Sequence, residues 1–149
     1  MIKTIYRLLI HFFSNIINTD KISEFYPVSV KAIIIDRGKI ILLKNERGEW
    51  DFPGGKITSY DQPKETLIRE VREELGIKIK ELTIYSSINL VINNVKVIIL
   101  LYKAKVASKD PIEISFEHLD YGFFTKEETM KINILKEYLD ILNKIDFHS

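Results

Sequence analysis

Residues 54–77 read GGKITSYDQPKETLIREVREELGI, and the interpretation of the whole chain starts from this stretch. Pro63 suits the first turn of an α-helix, where its missing N–H is no loss. Gly76 suits the position just past the end of a helix, where a left-handed backbone is needed. The sequence therefore predicts a helix over residues 63–75.

Three carboxylates near the end of this helix are predicted to share one face, because an α-helix turns by about 100° per residue. Like charges at such spacings destabilise a helix by a few tenths of a kcal/mol per pair, which is roughly the cost that a bound cation would offset. The alternative is a solvent-exposed, salt-bridged helix. The carboxylates are those of Glu70, Glu73 and Glu74, and Arg69 flanks them.

Composition narrows the class of protein. The chain has 149 residues, a formal net charge of +1 and no cysteine. Its length suits one domain, and its charge gives no bias towards nucleic acid, so no nucleic-acid partner is expected. The lack of cysteine excludes disulfides, thiolate metal sites and cysteine nucleophiles, and it fits the cytoplasmic location that we expect.

The first segment of the chain is predicted to be an amphipathic helix. Apolar residues recur at helical spacing over residues 1–19, with Lys3, Arg7 and His11 on another side. These charges argue against a signal peptide and against a membrane span. We expect the helix to pack on the domain or on a dimer mate, and peripheral membrane contact is the alternative. A polar connector completes a segment of residues 1–26.

From residue 27 the pattern changes to that of strands and helices in one domain of residues 27–149. A β-hairpin with a turn at Gly38 is predicted first, and its apolar run indicates strands covered on both faces. The later elements end with a helical turn capped by Thr125 in a capping box. In chain order we predict a hairpin over 28–44, a loop over 45–49, a short strand over 50–53, the helix over 63–75, strands over 77–90 and 94–106 joined at 92–94, a loop over 108–119, a strand over 121–124, a helical turn over 126–130 and a helix over 131–145.

The stretch from Gly55 to Ile77 resembles the signature box of the Nudix hydrolases, and the segment 50–55 resembles the lead-in common in that family. The resemblance implies an α+β fold, a Nudix-type α/β/α sandwich with a central mixed β-sheet, to which the N-terminal helix is added. One position departs from the box, because Asp61 stands where the family has Glu. The residues that match are Gly55, Arg69, Glu70, Val71, Glu73, Glu74, Gly76 and Ile77.

The resemblance also implies an activity. Nudix hydrolases cleave the diphosphate linkage of a nucleoside diphosphate joined to another group, with Mg²⁺ or Mn²⁺ as the cofactor. A small nucleoside diphosphate derivative is therefore the expected partner, such as a nucleotide sugar, a dNTP or an oxidised dNTP. A homodimer is compatible with the family. The alternative is a catalytically weak Nudix domain that binds a nucleotide and regulates.

The family pattern assigns roles to residues of the box. It makes Glu70, Glu73 and Glu74 the metal ligands, and the Gly55 carbonyl a further one. Arg69 is expected to hold Asp61 and Glu73 in place. The side chain of Asp61 is one methylene shorter than that of Glu, so its carboxylate is set back by roughly 1.5 Å.

A general base is expected on the loop before the last strand. Glu117 is our first choice there, as base or metal ligand, and a solvated acidic loop is the alternative. Asp120 and Glu113 are the reserves, and Glu74 could equally serve as the base. His118 is interpreted as a neighbour of the site without a catalytic role.

Substrate contacts are expected from the lead-in and the strands beside it. Trp50, Phe52 and Phe123 are candidates to stack on a base, and core packing is the alternative for the two phenylalanines. Basic residues are candidates to bind phosphate, and an exposed charged loop is the alternative for Arg47. The basic candidates are Lys44, Arg47 and Lys56.

Overall fold

The structure of the protein is a computed structural model that describes residues 26–58, 60–107 and 111–148. The helix predicted over residues 1–19 lies outside these residues. The strands are β1 Val28–Asp36, β2 Lys39–Lys44, β3 Trp50–Asp51, β4 Ile79–Ile92, β5 Val95–Val106 and β6 Asp120–Phe124. The helices are α1 Pro63–Leu75, α2 Lys126–Thr129 and α3 Lys136–Lys144.

The strands form one mixed sheet in the order β3-β2-β1-β5-β4, and β6 pairs with β2. β1 runs parallel to β5, and the other pairs are antiparallel. The segment after β3 also lies along β1, since Ala32 N–H donates to Pro53 O at 2.8 Å and Val30 N–H donates to Gly55 O at 2.9 Å. The sheet therefore fixes the glycines against its central strand.

Helices cover both faces of this sheet, as the apolar strands predict. Side chains alternate along β1, so Ala32 lies in the core beneath α1 and Ile33 lies in the core beneath α3. From α1, Leu67, Val71 and Leu75 are buried in the first core. From α3, Tyr138, Ile141 and Leu142 are buried in the second. This is the predicted α/β/α sandwich.

Two tight turns that the sequence predicted are present. Arg37 and Gly38 connect β1 to β2 with φ of 50° and 74°. Asn93 and Asn94 connect β4 to β5 with φ of 50° and 61°. Two successive residues at positive φ are typical of the two-residue hairpin turns that match the twist of a sheet. Both predicted hairpins are confirmed.

The predicted last helix is too long at its start. The capping box at Thr125 is confirmed, since Glu128 N–H donates to Thr125 Oγ1 at 3.3 Å and Thr125 N–H donates to Glu128 Oε2 at 2.8 Å. Residues 130–135 are not helical, however, and α3 begins at Lys136. The reason is a tertiary contact, because Trp50 N–H donates to Asn133 O at 2.7 Å and draws this segment to β3.

None of the helices in the described part of the chain is long and apolar enough to span a bilayer.

Candidate functional site

Helix α1 positions the predicted carboxylates, and its rotation is set by the core. Pro63 begins the helix, and Gly76 ends it with φ of 70° while its N–H donates to Arg72 O at 2.9 Å. The apolar stripe of α1 is fully buried against the sheet. Glu70 and Glu74 therefore lie against Gly54 and Gly55, the glycine segment, whereas Glu73 is exposed beside Arg69.

Glu74 is the most enclosed of these carboxylates, with 8% of its surface exposed. Its Oε2 accepts the Gly54 N–H at 2.7 Å. Its Oε1 lies 2.9 Å from His118 Nε2. Glu74 is thus held between a residue that precedes α1 and a residue that follows β5.

Glu70 lies against the second glycine. A β-carbon at Gly55 would be 2.5 Å from Glu70 Oε2, so only glycine allows this close approach. Burial raises the pKa of Glu70 above its ordinary value, the carboxylates of Glu74 and Glu73 add to the rise, and Arg69 opposes it. A carboxylate that is costly to ionise in this way would be relieved by a cation.

Arg69 connects the carboxylates of the box. Its guanidinium lies 2.8 Å from Glu70, 3.2 Å from Glu73 and 3.5 Å from Asp61. The contacts with Glu73 and Asp61 were predicted, whereas the shortest one, with Glu70, was not. Asp61 is held by Thr58 Oγ1, which donates to its carboxylate at 2.7 Å. The long distance from Arg69 to Asp61 agrees with the missing methylene.

The oxygen atoms of this site are of the kind that binds a divalent cation. Their side chains are not arranged around one common point. Carboxylate and carbonyl oxygens are the ligands that Mg²⁺ and Mn²⁺ prefer. Among the residues that the structure describes, no three His, Asp or Glu side chains are grouped to hold one ion. Glu70 and Glu73 are both paired with Arg69, at 2.8 and 3.2 Å, and Glu74 is hydrogen-bonded to Gly54 and His118. Gly55 O accepts the Val30 N–H and keeps a second lone pair.

The loop that carries the expected base is fastened beside α1. Glu113 N–H donates to Leu75 O and Ser115 N–H donates to Glu74 O, both at 3.0 Å. Glu117 is exposed, and its carboxylate makes no hydrogen bond or ion pair with the described residues. The carboxylate of Asp120 accepts the N–H of Tyr121 at 2.8 Å. Glu117 lies on this loop, and its role as base or metal ligand stays a prediction.

One predicted substrate contact is corrected. Phe52 is 1% exposed and packs on Tyr138 with ring centroids 4.7 Å apart, so no face of its ring is left for a nucleobase. Its apolar side chain belongs to the core beneath α3. Phe123, by contrast, is 43% exposed on β6.

The other candidates lie at the surface. The Trp50 ring packs edge-on against Phe124 at 4.7 Å, and Lys44 Nζ lies 5.7 Å from the centre of the indole. Arg47 is paired with Glu49 at 2.8 Å. Lys56 is exposed directly after Gly55. These positions leave the roles predicted for Trp50, Arg47 and Lys56 open to test.

Lys31 is a supporting residue that sequence reasoning missed. Its ammonium donates to Asp51 Oδ2 and to Phe52 O at 2.9 Å each, and to Gly54 O at 3.3 Å. The available signal was a single charge in the apolar run VSVKAIII of β1. Lys31 thus holds the glycine segment whose N–H binds Glu74.

The family model described as "NUDIX domain" matches residues 25–144. A CTP pyrophosphohydrolase of Escherichia coli is 42% identical over 57 residues, which cover 34% of this chain and 42% of that protein. An 8-oxo-dGTP diphosphatase of Buchnera aphidicola is 30% identical over 93 residues, which cover 57% of this chain and 72% of that protein. The chain thus spans about two fifths of the length of the first of these relatives.

Solved structures agree with the family match. A MutT NUDIX hydrolase from Burkholderia pseudomallei superposes with a TM-score of 0.74 at 24% identity, over 83% of this chain and 100% of that one. A MutT protein from Methanosarcina mazei Go1 superposes with a TM-score of 0.70 at 25% identity, over 86% of this chain and 96% of that one. At 24% identity, the likeness to the Burkholderia pseudomallei structure concerns the fold alone. Because the family model covers most of the chain, this protein belongs to the Nudix family.

Proposed function

We propose that this protein is a pyrophosphohydrolase that cleaves the diphosphate linkage of a nucleoside diphosphate joined to a further group. One observation carries the proposal. The glycine pair meets the carboxylates of the box, with Gly54 N–H on Glu74 and Gly55 against Glu70. The names of the relatives, a CTP pyrophosphohydrolase and an 8-oxo-dGTP diphosphatase, make nucleotides the first substrates to test.

The proposed cofactor is Mg²⁺ or Mn²⁺, held by Glu70, Glu73 and Glu74 with the Gly55 carbonyl. Such an ion, when bound, neutralises the charge of the diphosphate and lowers the pKa of a bound water. Arg69 orients Glu70 and Glu73 from the side, at 2.8 and 3.2 Å. Its positive charge also offsets the mutual repulsion of these carboxylates.

Two residues, Glu74 and Glu117, are proposed as the base that accepts the proton of the attacking water. Both oxygens of Glu74 are occupied by Gly54 and His118, and the side chain is nearly enclosed. Glu117 is exposed and has no such bonds with described residues. A base must reach the attacking water and pass its proton on to solvent, so the exposure of Glu117 supports it over the nearly enclosed Glu74.

For the substrate, we propose that Lys56 and Arg47 contact phosphates and that Trp50 contacts the base. Lys56 is exposed next to the Gly55–Glu70 contact, which supports a phosphate role. Trp50 already receives Lys44 at its ring face. An aromatic ring and two cations are side chains that suit an anionic nucleotide.

The test is product release from nucleotides with Mg²⁺ or Mn²⁺, measured by chromatography. CTP, 8-oxo-dGTP, ADP-ribose, CDP-alcohols and dinucleoside polyphosphates form the panel. We expect Glu73→Gln and Glu74→Gln to lower turnover by at least about 100-fold with the fold intact, because each removes a charged ligand. Glu65→Gln is the matched control, since Glu65 lies exposed on the first turn of the same helix. Full activity of the Glu73 or Glu74 variant would contradict the assignment of these ligands.

The second candidate is a nucleotide-binding module with weak catalysis. The 3.5 Å separation of Arg69 and Asp61 favours it, because the arginine is held less firmly at the one departure from the box. Calorimetric binding of a panel nucleotide without any product would support this candidate and exclude the enzyme.

A further inference from the structure

The contact between His118 and Glu74 is the strongest feature to which the proposed function assigns no role of its own. Nε2 of His118 lies 2.9 Å from Glu74 Oε1. The two side chains are 15% and 10% exposed, so the contact is largely shielded from water. A hydrogen bond to a carboxylate in such surroundings is stronger than one at the surface.

The backbone around His118 makes this contact a fixed one. Ser115 N–H donates to the backbone oxygen of Glu74 itself, and His118 N–H donates to Ser115 O at 3.3 Å. Leu119 N–H then donates to Lys44 O at 2.9 Å. The loop is therefore bound to α1 on one side of His118 and to β2 on the other, so the imidazole is held in place by backbone bonds.

The opposite oxygen of the carboxylate is held equally well. Gly54 N–H donates to Glu74 Oε2 at 2.7 Å, and Lys31 holds the Gly54 carbonyl. Both oxygens of Glu74 thus have a donor, one from the glycine segment and one from the loop after β5. An ionised carboxylate has about four lone-pair positions, so two bonds leave roughly two free for a cation.

We propose that His118 is a positioning residue that orients the Glu74 carboxylate for a divalent cation. The proposal rests on the proposed function, since it assigns Glu74 to the metal. His118 donates from Nε2–H, so Nδ1 carries no proton in the neutral ring. That tautomer fits the position of Nδ1, which is buried without a hydrogen-bond partner among the described residues, where an N–H would be left unsatisfied. A carboxylate that is already oriented loses less side-chain freedom when it coordinates, so affinity for the cation is higher.

Glu117 precedes His118 on the same loop, which the backbone bonds of Ser115 and Leu119 hold to α1 and β2. Loss of the His118 side-chain bond should therefore affect the orientation of Glu74 and leave the loop, with Glu117, in place.

The experiment compares three substitutions in the full chain. His118→Gln keeps an N–H donor near the place of Nε2, whereas the shorter amide of His118→Asn reaches only the place of Nδ1, and His118→Leu removes the donor. We measure the dissociation constant of Mn²⁺ alone by electron paramagnetic resonance. We expect about a 10- to 100-fold weaker affinity for the Leu and Asn variants and a change within about threefold for the Gln variant. Circular dichroism and thermal unfolding show which variants are folded.

A second readout separates positioning from support of the loop. With 8-oxo-dGTP as substrate, raised Mn²⁺ should restore most of the turnover that the Leu variant loses, because the defect lies in occupancy by the cation. It should not restore Glu74→Gln. Wild-type Mn²⁺ affinity in a folded Leu variant would overturn the proposal, and so would equal losses in the Gln and Leu variants. Failure of the proposed function looks different, since the wild-type protein would then release no product while Mn²⁺ affinities still report on His118.

Discussion

The two glycines before α1 are adjacent in sequence and serve for different physical reasons. Gly54 has φ of +134°, and a β-carbon there would be 2.1 Å from the backbone oxygen of Val30. A β-carbon at Gly55 would instead meet the end of the Glu70 side chain. A side chain at position 54 is therefore excluded by the backbone of β1, and a side chain at position 55 is opposed by the Glu70 side chain of the site.

This difference gives a paired prediction. Gly54→Ala should destabilise the protein by more than about 2 kcal/mol, because the backbone of β1 cannot yield easily. Gly55→Ala should leave the unfolding temperature nearly unchanged, because the Glu70 side chain can swing away, and should lower Mn²⁺ affinity and turnover. Thermal unfolding and Mn²⁺ titration distinguish the two. Equal loss of stability in both variants would contradict this division.

Asp61 shows how a local departure is accommodated. The sequence predicts a carboxylate set back from its usual place, and Arg69 lies at 3.5 Å from it rather than at the 2.8 Å of the Arg69–Glu70 pair. The bond from Thr58 holds Asp61 in the approach loop. The side-chain length was readable in the sequence, whereas the Thr58 contact depends on the loop conformation.

At the scale of elements, the segment of residues 51–54 depends on one partly buried lysine. Lys31 lies on β1 and donates to one carboxylate and two carbonyls of residues 51–54. Burial raises the pKa of the nearby Tyr138 hydroxyl, and Asp51 raises it further. This polar contact lies beside the core beneath α3, and it fixes the path of the chain towards the glycines.

Removal of that ammonium should therefore be costly. Lys31→Met leaves Asp51 partly buried without its partner, and we expect a loss of about 2–3 kcal/mol, reduced from the fully buried case because the side chains are 14% and 27% exposed. Lys39→Met is the control, since Lys39 is exposed at the hairpin turn. Denaturant unfolding measures both. A Lys31 variant as stable as the control would show that backbone pairing with β1 is sufficient for this segment.

The start of the last helix is set by a contact with another part of the chain. Leu135 and Leu139 follow the helical spacing from which the sequence predicts one helix over 131–145. The chain nevertheless stays extended at Asn133 and Ile134, because they pair with Trp50 at the edge of the sheet. Helical periodicity is unchanged by such a partner, so the sequence pattern alone could not reveal the break.

At the scale of the whole molecule, the carboxylates on α1 make the free energy of unfolding depend on pH and on metal binding. Burial raises the pKa of Glu70 above its ordinary value of 4.5, so the folded state holds this proton more tightly than the unfolded state. Without metal, the contribution of Glu70 to stability is therefore full below 4.5 and is lost as pH rises through the folded pKa. A bound cation reverses this, because it binds the ionised form.

We therefore expect Mn²⁺ to raise the unfolding temperature at pH 7 and to have little effect at pH 4. At 100 times its dissociation constant, the gain would be about 2.7 kcal/mol. Scanning calorimetry with and without EDTA measures it, and Glu70→Gln should abolish most of the gain at pH 7. An equal effect of Mn²⁺ at both pH values would contradict the role of these carboxylates.

The sequence by itself determined the local features of this protein. The helix between Pro63 and Gly76 and the two hairpin turns were predicted, because they follow from the backbone preferences of residues near in sequence. The spacing of Glu70, Glu73 and Glu74 can be read from the sequence directly. The dimer, the segment 1–26 and the boundary at residue 27 stay predictions.

Tertiary structure decided which groups meet across the chain. The contact of His118 with Glu74 joins residues 44 positions apart, and the contact of Gly54 with Glu74 joins residues 20 apart. The burial of Phe52 and the position of Lys31 likewise depend on how the sheet packs against α3 and the glycine segment. Such contacts form only when the sheet, the helices and the loops pack together. The periodicity of a sequence specifies which face of an element a side chain occupies, and it does not specify the partner on the other side.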